Sequence, residues 1–412
     1  MSSQFSRGQI FLRILFPFAF GYFLSYLYRV VNAVLAPDLV GELGLSAATL
    51  GLLTASYFIT FAAAQLPLGI LLDRYGPRRI EAGLLLLAAL GALIFATGES
   101  EIELIIGRGI IGLGVSACLM AAFKAFTLWF EPRRLPTVNG IIMAAGGIGA
   151  LTATVPVQFA LTHTDWRGVF LLLAGVTVLA SLLVFLLVPE QGAVTDKEPL
   201  GNPSDGFRTI FSDPFFQRIA PVTMLSQASF ISIQSLWAGP WLRDMAMLSR
   251  SAGADTLFLS AASMVCGFLV IGTLGERLSR LGIRLETTAG IGMLLFMGVQ
   301  TLIIIMPPDG YITITWMAFG FFGTTGIIQY AVLSQRYPKK LAGRVNTAMN
   351  LLVFISAFSL QYLIGAIIEL SPQQIANHYP AESYRSAFSV ILALQVVAYL
   401  WFIRTRVPMK KS

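Results

Sequence analysis

Long apolar segments follow one another along almost the whole of this chain, separated by short polar connections. A helix of roughly 20 apolar residues is long enough to cross the hydrocarbon core of a bilayer. Twelve segments meet this criterion: 11–36, 47–72, 79–97, 102–128, 136–161, 167–188, 215–241, 254–275, 284–305, 311–333, 343–369 and 384–405. Only 12% of the residues are charged, whereas a soluble domain carries about 25%. The sequence therefore predicts an all-α protein that is integral to a membrane.

The longest polar connection, residues 189–213, divides these segments into two sets of six. We expect an N-terminal six-helix bundle over 1–188, a central loop over 189–213 and a C-terminal six-helix bundle over 214–412. Of the 28 Lys and Arg residues, 21 lie in the tails and connections on the side of the N-terminus, and four lie on the opposite side. Because cytoplasmic loops carry the excess of basic residues, this pattern predicts a multi-pass protein of the cytoplasmic (inner) membrane with both termini in the cytoplasm.

The two halves also share sequence. Residues 69–74, GILLDR, end the second span, and 272–277, GTLGER, end the eighth. The segment EPRRLPTVN before the fifth span has a counterpart, YPKKLAGRVN, before the eleventh. An offset of six helices gives the halves the same orientation, related by an axis along the membrane normal. We therefore expect a substrate path between the halves.

The segment 69–79, GILLDRYGPRR, resembles the signature G-x-L-x-D-R-x-G-R-R/K of the major facilitator superfamily, with one Pro inserted. A degraded copy covers 272–282, and the fourth span carries a further family motif that begins at Arg108. The resemblance extends over the whole chain. It implies two pseudo-symmetric six-helix bundles around a central cavity, and secondary active transport by alternating access.

The carboxylate in this motif, Asp73, lies at the end of a helix, where it can pair with arginines and with the N-terminus of a neighbouring helix. We expect it to hold the two halves together in one conformation and to release them in the other. The alternative is a positively charged anchor with no gating role, although an anchor needs no aspartate. The predicted gating residues are Gly69, Asp73, Arg74, Gly76, Arg78, Arg79, Glu276 and Arg277.

An ionisable side chain inside a span is costly and marks a functional site. Ser25, Arg29 and Asn32 repeat at i, i+4 and i+7 and so share one face of the first helix. We expect Arg29 to face the cavity, the alternative being an arginine satisfied by backbone carbonyls. The surrounding segment YLYRVVNAVLAP is similar to the first helix of organic anion:cation symporters, but Tyr28 stands where they carry an Asp.

Two further cations, Arg108 and Lys124, fall within the fourth span. Arg108 either lines the path or braces the first helix, and Lys124 either faces the cavity or extends to the cytoplasmic surface. Carboxylates are expected only at the ends of spans, at Glu81, Asp244, Glu276 and Glu369. Three interior cations without an interior anion predict a positive cavity, which favours a small organic or inorganic anion as the substrate.

Neutral polar residues complete the predicted site. Because this architecture lines its cavity with helices 1, 4, 7 and 10, the resemblance adds residues of those helices. The predicted substrate-binding residues are Arg29, Asn32, Tyr26, Lys124, Gln234, Trp237, Tyr330 and Arg108. In the fifth span, Gly140, Gly146, Gly147 and Gly149 predict close helix contact.

Other classes of function fit the sequence less well. No Ser/His/Asp set, phosphate loop or metal-ligand spacing indicates an enzyme, and no ring of filter residues indicates a channel. The main alternative is proton-coupled efflux of a drug or metabolite; uptake of a soft metal is a weaker one, suggested only by 13 Met residues. We expect a monomer in contact with membrane lipids and an anionic small molecule, with no cofactor, bound metal or nucleic-acid partner.

Overall fold

The computed structural model describes residues 7–45, 47–190, 203–370 and 379–405, and no β-strand occurs among them. Residues 191–202 of the predicted central loop, 189–213, and both ends of the chain lie outside these ranges. The first six main helices are α1 (Phe16–Leu43), α2 (Ala47–Tyr75), α3 (Pro77–Thr97), α4 (Glu101–Val115 and Cys118–Trp129), α5 (Leu135–Thr152) and α6 (Trp166–Leu187). The second six are α7 (Pro214–Ser232, Ile233–Trp237 and Ala238–Asp244), α8 (Arg250–Arg280), α9 (Leu285–Ile305), α10 (Ile312–Gly323, Thr324–Gly326 and Ile327–Arg336), α11 (Ala342–Glu369) and α12 (Ala381–Arg404). Short helical segments cover Arg7–Ile10, Phe11–Leu15, Pro132–Arg134, Val155–Ala160, Pro203–Ser212, Asp309–Tyr311 and Lys339–Leu341.

Eleven helical segments in the described ranges are long and apolar enough to cross a membrane. The sequence predicts twelve, and the segment that is not among the eleven is α7. Its helical structure runs without a gap from Pro214 to Asp244, but polar residues such as Gln217, Arg218 and Gln227 interrupt its apolar character. Large apolar side chains such as Leu186 remain exposed, here at 70%. Extensive exposed apolar surface of this kind belongs in lipid rather than in water.

Polar side chains cap several helices where the chain enters them. Ser100 accepts a hydrogen bond from the backbone N–H of Glu103 at 3.3 Å, and the Glu103 carboxylate returns to the backbone N–H of Ser100 at 3.1 Å. This capping box begins α4. Asp165 caps α6 by accepting from the backbone N–H of Gly168 at 2.7 Å. These caps explain why apolar segments separated by short connections start as distinct helices.

The chain forms two compact units. The first contains Met1–Pro203 and Ser334–Ala348, and the second contains Ser204–Leu333 and Met349–Ser412. In the first unit α2 packs on α4, and α3 packs on α4 and α6; in the second, α8 packs on α10, and α9 packs on α10 and α12. The same packing pattern thus recurs with an offset of six helices, as the sequence repeat predicts.

One segment does not follow the boundaries expected from the sequence. Ser334–Ala348, the end of α10 and the start of α11, belongs to the first unit, although the expected C-terminal bundle was 214–412. Helix α11 therefore begins in one unit and continues in the other. The contacts of Asp73, described below, provide the physical reason.

Glycines in α5 permit close contact with α1, as predicted. A β-carbon at Gly149 would overlap the backbone carbonyl oxygen of Phe23, and one at Gly146 would lie 2.5 Å from the ring of Tyr22. Only a residue without a side chain fits at these two positions. This contact sets the distance between α5 and the helix that carries Arg29.

A charged cluster joins α7 to α12 in the second unit. Asp244 accepts hydrogen bonds from Arg243 at 2.6 and 3.0 Å and from the hydroxyl of Tyr384 at 2.6 Å. Burial of Asp244 opposes ionisation, but these hydrogen bonds outweigh it and hold the pKa of this carboxyl below its usual value. The cluster lies just beyond the predicted span 215–241.

Candidate functional site

The polar face predicted for the first helix lies on the single uninterrupted helix α1. Ser25 and Asn32 are buried, whereas Arg29 is partly accessible. The hydroxyl of Ser25 donates to the carbonyl of Val115 in α4 at 3.4 Å, and the hydroxyl of Tyr57 in α2 donates to the carbonyl of Ser25 at 3.2 Å. Neighbouring helices of the first unit therefore hold this face of α1 in place.

Aromatic rings and hydroxyls surround the guanidinium of Arg29. Its central carbon lies 4.5 Å from the ring centroid of Tyr26 and 5.3 Å from that of Phe61. The hydroxyls of Tyr22 and Tyr57 also lie close enough to interact with its charge. Cation–π contacts stabilise a guanidinium while leaving its N–H groups able to donate. The surroundings of Arg29 thus suit recognition of a planar anionic group.

One residue of this face, Asn32, carries a buried oxygen that accepts no hydrogen bond from the described part of the chain. A buried polar group left in this condition costs about 1–3 kcal/mol. It lies one turn beyond Arg29 on α1.

Arg108 occupies a different position from Arg29. Its side chain is 1% exposed and donates from Nη1 to the carbonyl oxygen of Tyr28 at 3.0 Å. Its central carbon lies 4.9 Å from the ring centroid of Tyr57. These contacts tie α4 to α1 and α2, which corresponds to the bracing role rather than to the lining of a path.

Lys124 and Asp73 form a buried ion pair. The Lys124 Nζ lies 2.6 Å from Asp73 Oδ1, with the Lys124 side chain 5% exposed and that of Asp73 fully buried. Lys124 also donates to the backbone carbonyl of Lys339. The sequence alone made Lys124 a candidate for substrate binding, whereas the structure uses its charge to neutralise Asp73.

Asp73 also binds the first turn of α11. The backbone N–H groups of Gly343 and Arg344 donate to its two oxygens at 2.9 and 3.2 Å, and Arg344 Nε lies 3.7 Å from Oδ2. A helix N-terminus attracts negative charge because its N–H groups have no partner within the helix. A β-carbon at Gly343 would lie 3.0 Å from the carbonyl oxygen of Gly69. Gly69 and Asp73, one turn apart on α2, therefore make the surface on which α11 starts.

The remaining motif residues shape the connection between α2 and α3. Gly76 adopts φ of +80°, a conformation that side chains other than glycine's disfavour. Arg78 donates to the carbonyl of Phe185 at 2.8 Å, and both Arg78 and Arg79 pair with Glu190 beyond the end of α6. Arg74 is exposed and lies over the ring of Tyr75.

The second copy of the motif keeps the turn but not the cluster. Gly282 has φ of +87°, like Gly76. Glu276, the counterpart of Asp73, pairs with Arg280 one turn further along its own helix, and Arg277 is exposed. The two copies therefore differ in what their carboxylates contact.

Two polar candidates of the second unit lie on α7. Gln234 and Trp237 lie in its π-helical turn, Ile233–Trp237, a form of helix that is frequent at functional sites. Trp237 Nε1 donates to the carbonyl of Gln361 in α11 at 3.3 Å, and the Gln361 amide donates to Ser235 at 2.8 Å. Tyr330 is buried in α10. Sequence reasoning did not place Gln361 among the predicted substrate-binding residues, and its contact with Trp237 adds it to this cluster.

The expectation that interior positions hold no carboxylate is wrong. The Asp73 side chain is fully buried, and so is Glu81 in the second turn of α3. Both lie near the ends of predicted spans, but proximity to an end does not expose them because neighbouring helices cover them. Of the three interior cations, Lys124 is neutralised, which leaves the charges of Arg29 and Arg108 in the interior of the first unit.

Metal chemistry has no visible basis in the part of the chain that the structure describes. No group of three His, Cys, Asp or Glu residues there is placed to hold a metal ion. Cys118 is buried and Cys266 is exposed, and both are free thiols. His378 lies outside the described residues.

Comparison with known proteins relates the chain to transporters. It is 23% identical over 368 residues to the probable sulfoacetate transporter SauU of Cupriavidus necator, covering 83% of this chain and 85% of that protein. It is also 23% identical over 392 residues to the probable galactarate/D-glucarate transporter GudP of Escherichia coli, covering 84% of each. Among solved structures, a bacterial homologue of the iron transporter ferroportin in the outward-facing state matches with a TM-score of 0.72 at 16% identity, over 95% of this chain and 99% of that one. The last match shows a shared fold.

The family itself follows from the sequence match. Residues 18–360 match the sequence model of the Major Facilitator Superfamily, so the resemblance based on the motif at 69–79 is confirmed. The all-α membrane fold is confirmed as well, by this match and by the solved structures. The chain belongs to the Major Facilitator Superfamily and is a multi-pass membrane transporter, not an enzyme.

Proposed function

We propose that this transporter moves a small organic anion by alternating access, and that Arg29 binds the anionic group. The observation that carries the proposal is the position of Arg29. Of the three interior cations singled out from the sequence, Arg29 is partly accessible, whereas Arg108 and Lys124 are buried in contacts with the protein. A guanidinium in this setting presents several N–H donors in a planar fork that matches a carboxylate or sulfonate.

The relatives support an organic anion. SauU is named for sulfoacetate and GudP for galactarate and D-glucarate, and all three are organic anions. Two of these are polyhydroxylated, which would suit the buried oxygen of Asn32. The first-unit residues proposed to contact substrate are Arg29, Asn32 and Tyr26. In the second unit, Gln234, Trp237 and Tyr330 remain proposed contacts.

Binding of an anion at Arg29 has a measurable energetic consequence. A hydrogen bond to a charged group contributes about 1.5–3 kcal/mol. Loss of one such bond weakens binding by at least about tenfold. Lysine at position 29 keeps the charge but lacks the planar fork, so it supports weaker binding than arginine.

The test is ligand-induced thermal stabilisation of the purified protein. The probes are sulfoacetate, D-glucarate, galactarate and nitrate, with an organic cation and a lipophilic drug as comparisons. At least one organic anion is expected to raise the Tm of the wild type. Arg29→Lys should need at least about tenfold more of that anion, Arg29→Ala should show no response, and the surface variant Arg280→Ala should behave as wild type.

Two results would contradict the proposal. Full anion binding by Arg29→Ala would remove Arg29 from the site. Stabilisation by the cation or the drug, with no response to any anion, would favour the efflux alternative.

We also propose that both termini lie in the cytoplasm and that the protein resides in the inner membrane. The distribution of Lys and Arg supports this orientation, with 21 on the side of the termini and four on the other. Reporter fusions at residue 200 and at the C-terminus are expected to give cytoplasmic signals. A periplasmic signal at residue 200 would overturn the orientation.

Asp73 is proposed to serve as a releasable latch in the transport cycle. It fixes the first turn of α11 to α2 and α4 in the first unit, while the rest of α11 belongs to the second unit. Release of Asp73 would free the start of α11 from the first unit. This arrangement supports a switch between two discrete states rather than a permanent anchor.

A further inference from the structure

One buried ionisable group, Glu81, has no part in the site described above. It lies in the second turn of α3 and its side chain is fully buried. Neither carboxyl oxygen has a hydrogen-bond partner among the described residues. An ionised carboxylate buried in this way would be very costly, and such a group takes up a proton instead.

The space for this carboxyl is provided by α1. A β-carbon at Gly21 would overlap Glu81 Oε1 and would lie 3.6 Å from the carboxyl carbon of Glu81 and 3.7 Å from Leu85 Cδ1. The bare backbone of α1 at Gly21 therefore covers the carboxyl. A movement of α1 away from α3 would expose Glu81 to new surroundings.

No cation of the described residues donates a hydrogen bond to the carboxyl oxygens of Glu81. Arg78 and Arg79, on the first turn of α3, pair with Glu190. Lys124 of α4 pairs with Asp73 of α2.

Titratable groups on the helices packed around α3 also make other contacts, among them Arg108 of α4, which donates to the carbonyl oxygen of Tyr28. Arg167, the charged residue of α6, pairs with Glu42. On α1, the hydroxyl of Tyr22, next to Gly21, donates to the sulfur of Met143. On α4, Cys118 is a buried thiol, and a neutral thiol does not compensate a carboxylate.

We propose that Glu81 is a proton-binding site whose occupancy depends on the position of α1 at Gly21. In the conformation described here it is a neutral carboxylic acid. When α1 moves and water reaches the carboxyl, the O–H bond breaks and the proton passes to water, leaving a carboxylate. The return of α1 requires a proton from water to rejoin that oxygen.

This site is linked to the proposed anion site through one rigid element. Gly21 and Arg29 lie on the same helix, and eight residues of α-helix span about 12 Å. An anion that shifts α1 would change the environment of Glu81, and protonation of Glu81 would favour one position of α1. If the proposed function holds, the anion and the proton are thus coupled, and the coupling is reciprocal.

The test needs no substrate, so its failure and failure of the proposed function are separate results. The pH of the full-length protein is varied, and its infrared spectrum is recorded at each pH to detect protonated carboxylic acids. Wild type at pH 7 is expected to show the carbonyl band of a protonated carboxylic acid. Glu81→Gln should lose this band, whereas the matched variant Glu99→Gln, which removes an exposed carboxylate, should retain it.

A second variant examines the role of α1. Gly21→Ala displaces the Glu81 carboxyl from its covered position, so the band is expected to weaken at pH 7 in a protein that still folds. If Glu81→Gln fails to fold, Gly21→Ala and the response of the wild-type band to rising pH still decide the matter. Absence of the band in the folded wild type, or its persistence in Glu81→Gln, would overturn the inference. A protonated Glu81 in a protein that binds no anion would overturn the proposed function alone.

Discussion

Replacement of Asp73 by asparagine tests the latch and can be worked out from its contacts. The Asp73 carboxylate accepts from Lys124 at 2.6 Å, from the N–H of Gly343 at 2.9 Å and from that of Arg344 at 3.2 Å. Asparagine keeps one carbonyl oxygen for a backbone donor but has no charge to compensate Lys124. Removal of one member of a buried ion pair costs about 3–5 kcal/mol, because the other charge is left uncompensated. We expect about 3 kcal/mol, since one acceptor remains.

The assay is thermal unfolding of the purified protein. For a unit of this size a loss of about 3 kcal/mol lowers Tm on the order of 6–12 °C. The matched control is Glu382→Gln in α12, whose carboxylate is 76% exposed and pairs with Arg385. An exposed ion pair of this kind contributes only about 0.2–1 kcal/mol, so this variant should change Tm very little.

A double-mutant cycle separates the ion pair from other effects. Lys124→Met in the Asp73→Asn background removes the uncompensated cation, so it should restore part of the lost stability. We expect a coupling energy of about 2 kcal/mol between the two positions, within the range for residues in direct contact. If the stability changes of the two single variants add up to that of the double variant within about 0.5 kcal/mol, the reasoning that this ion pair dominates the cluster is refuted.

The functional consequence concerns rate rather than affinity. Asp73 on α2 binds the start of α11, whereas Arg29 lies on α1, so Asp73→Asn should slow transport while anion binding stays close to that of the wild type. About 3 kcal/mol corresponds to a shift of roughly 100-fold in the equilibrium between two conformations. Loss of anion binding with normal exchange of bound anion would contradict the latch.

Two further predictions concern packing and pH. Gly149→Ala should lower stability by about 1–3 kcal/mol, because its new β-carbon overlaps the carbonyl of Phe23. The control variant Gly175→Ala on α6 meets open space and should be neutral or slightly stabilising. Equal Tm values for the two variants would show that α1 and α5 are not in close contact. Asp244→Asn should lower Tm at pH 7, and this difference should shrink as the pH falls below the ordinary value of 3.8 for an aspartate, because a carboxyl whose pKa is lowered by folding stabilises the protein only while it is ionised. A Tm difference between Asp244→Asn and wild type that stays constant down to pH 3 would mean that hydrogen bonds to Arg243 matter without the charge.

Much of the fold could be predicted because its signals are local in the sequence. The length and apolar character of each segment determine that it forms a membrane helix, and the motif at 69–79 identified the family. The glycines of α5 indicated close contact with a neighbouring helix, because residues without side chains let two backbones approach. The sequence predicted a span at 215–241, whereas α7 is not among the eleven described helices that are long and apolar enough to cross a membrane, because polar residues interrupt its apolar character.

The partners of charged side chains depended on the tertiary structure. Asp73 and Gly343 are 270 residues apart, and no local pattern shows that the start of α11 returns to α2. For the same reason the sequence left Lys124 as a candidate substrate ligand and placed Glu81 only at the end of a span. Hydropathy reports whether a segment enters a membrane, but the energy of a charge there depends on which groups surround it. The sequence by itself therefore determined the helices and the family. Only the folded chain decided that the charge of Lys124 is neutralised by Asp73, that Arg29 remains partly accessible, and that Glu81 is buried without a hydrogen-bond partner among the described residues.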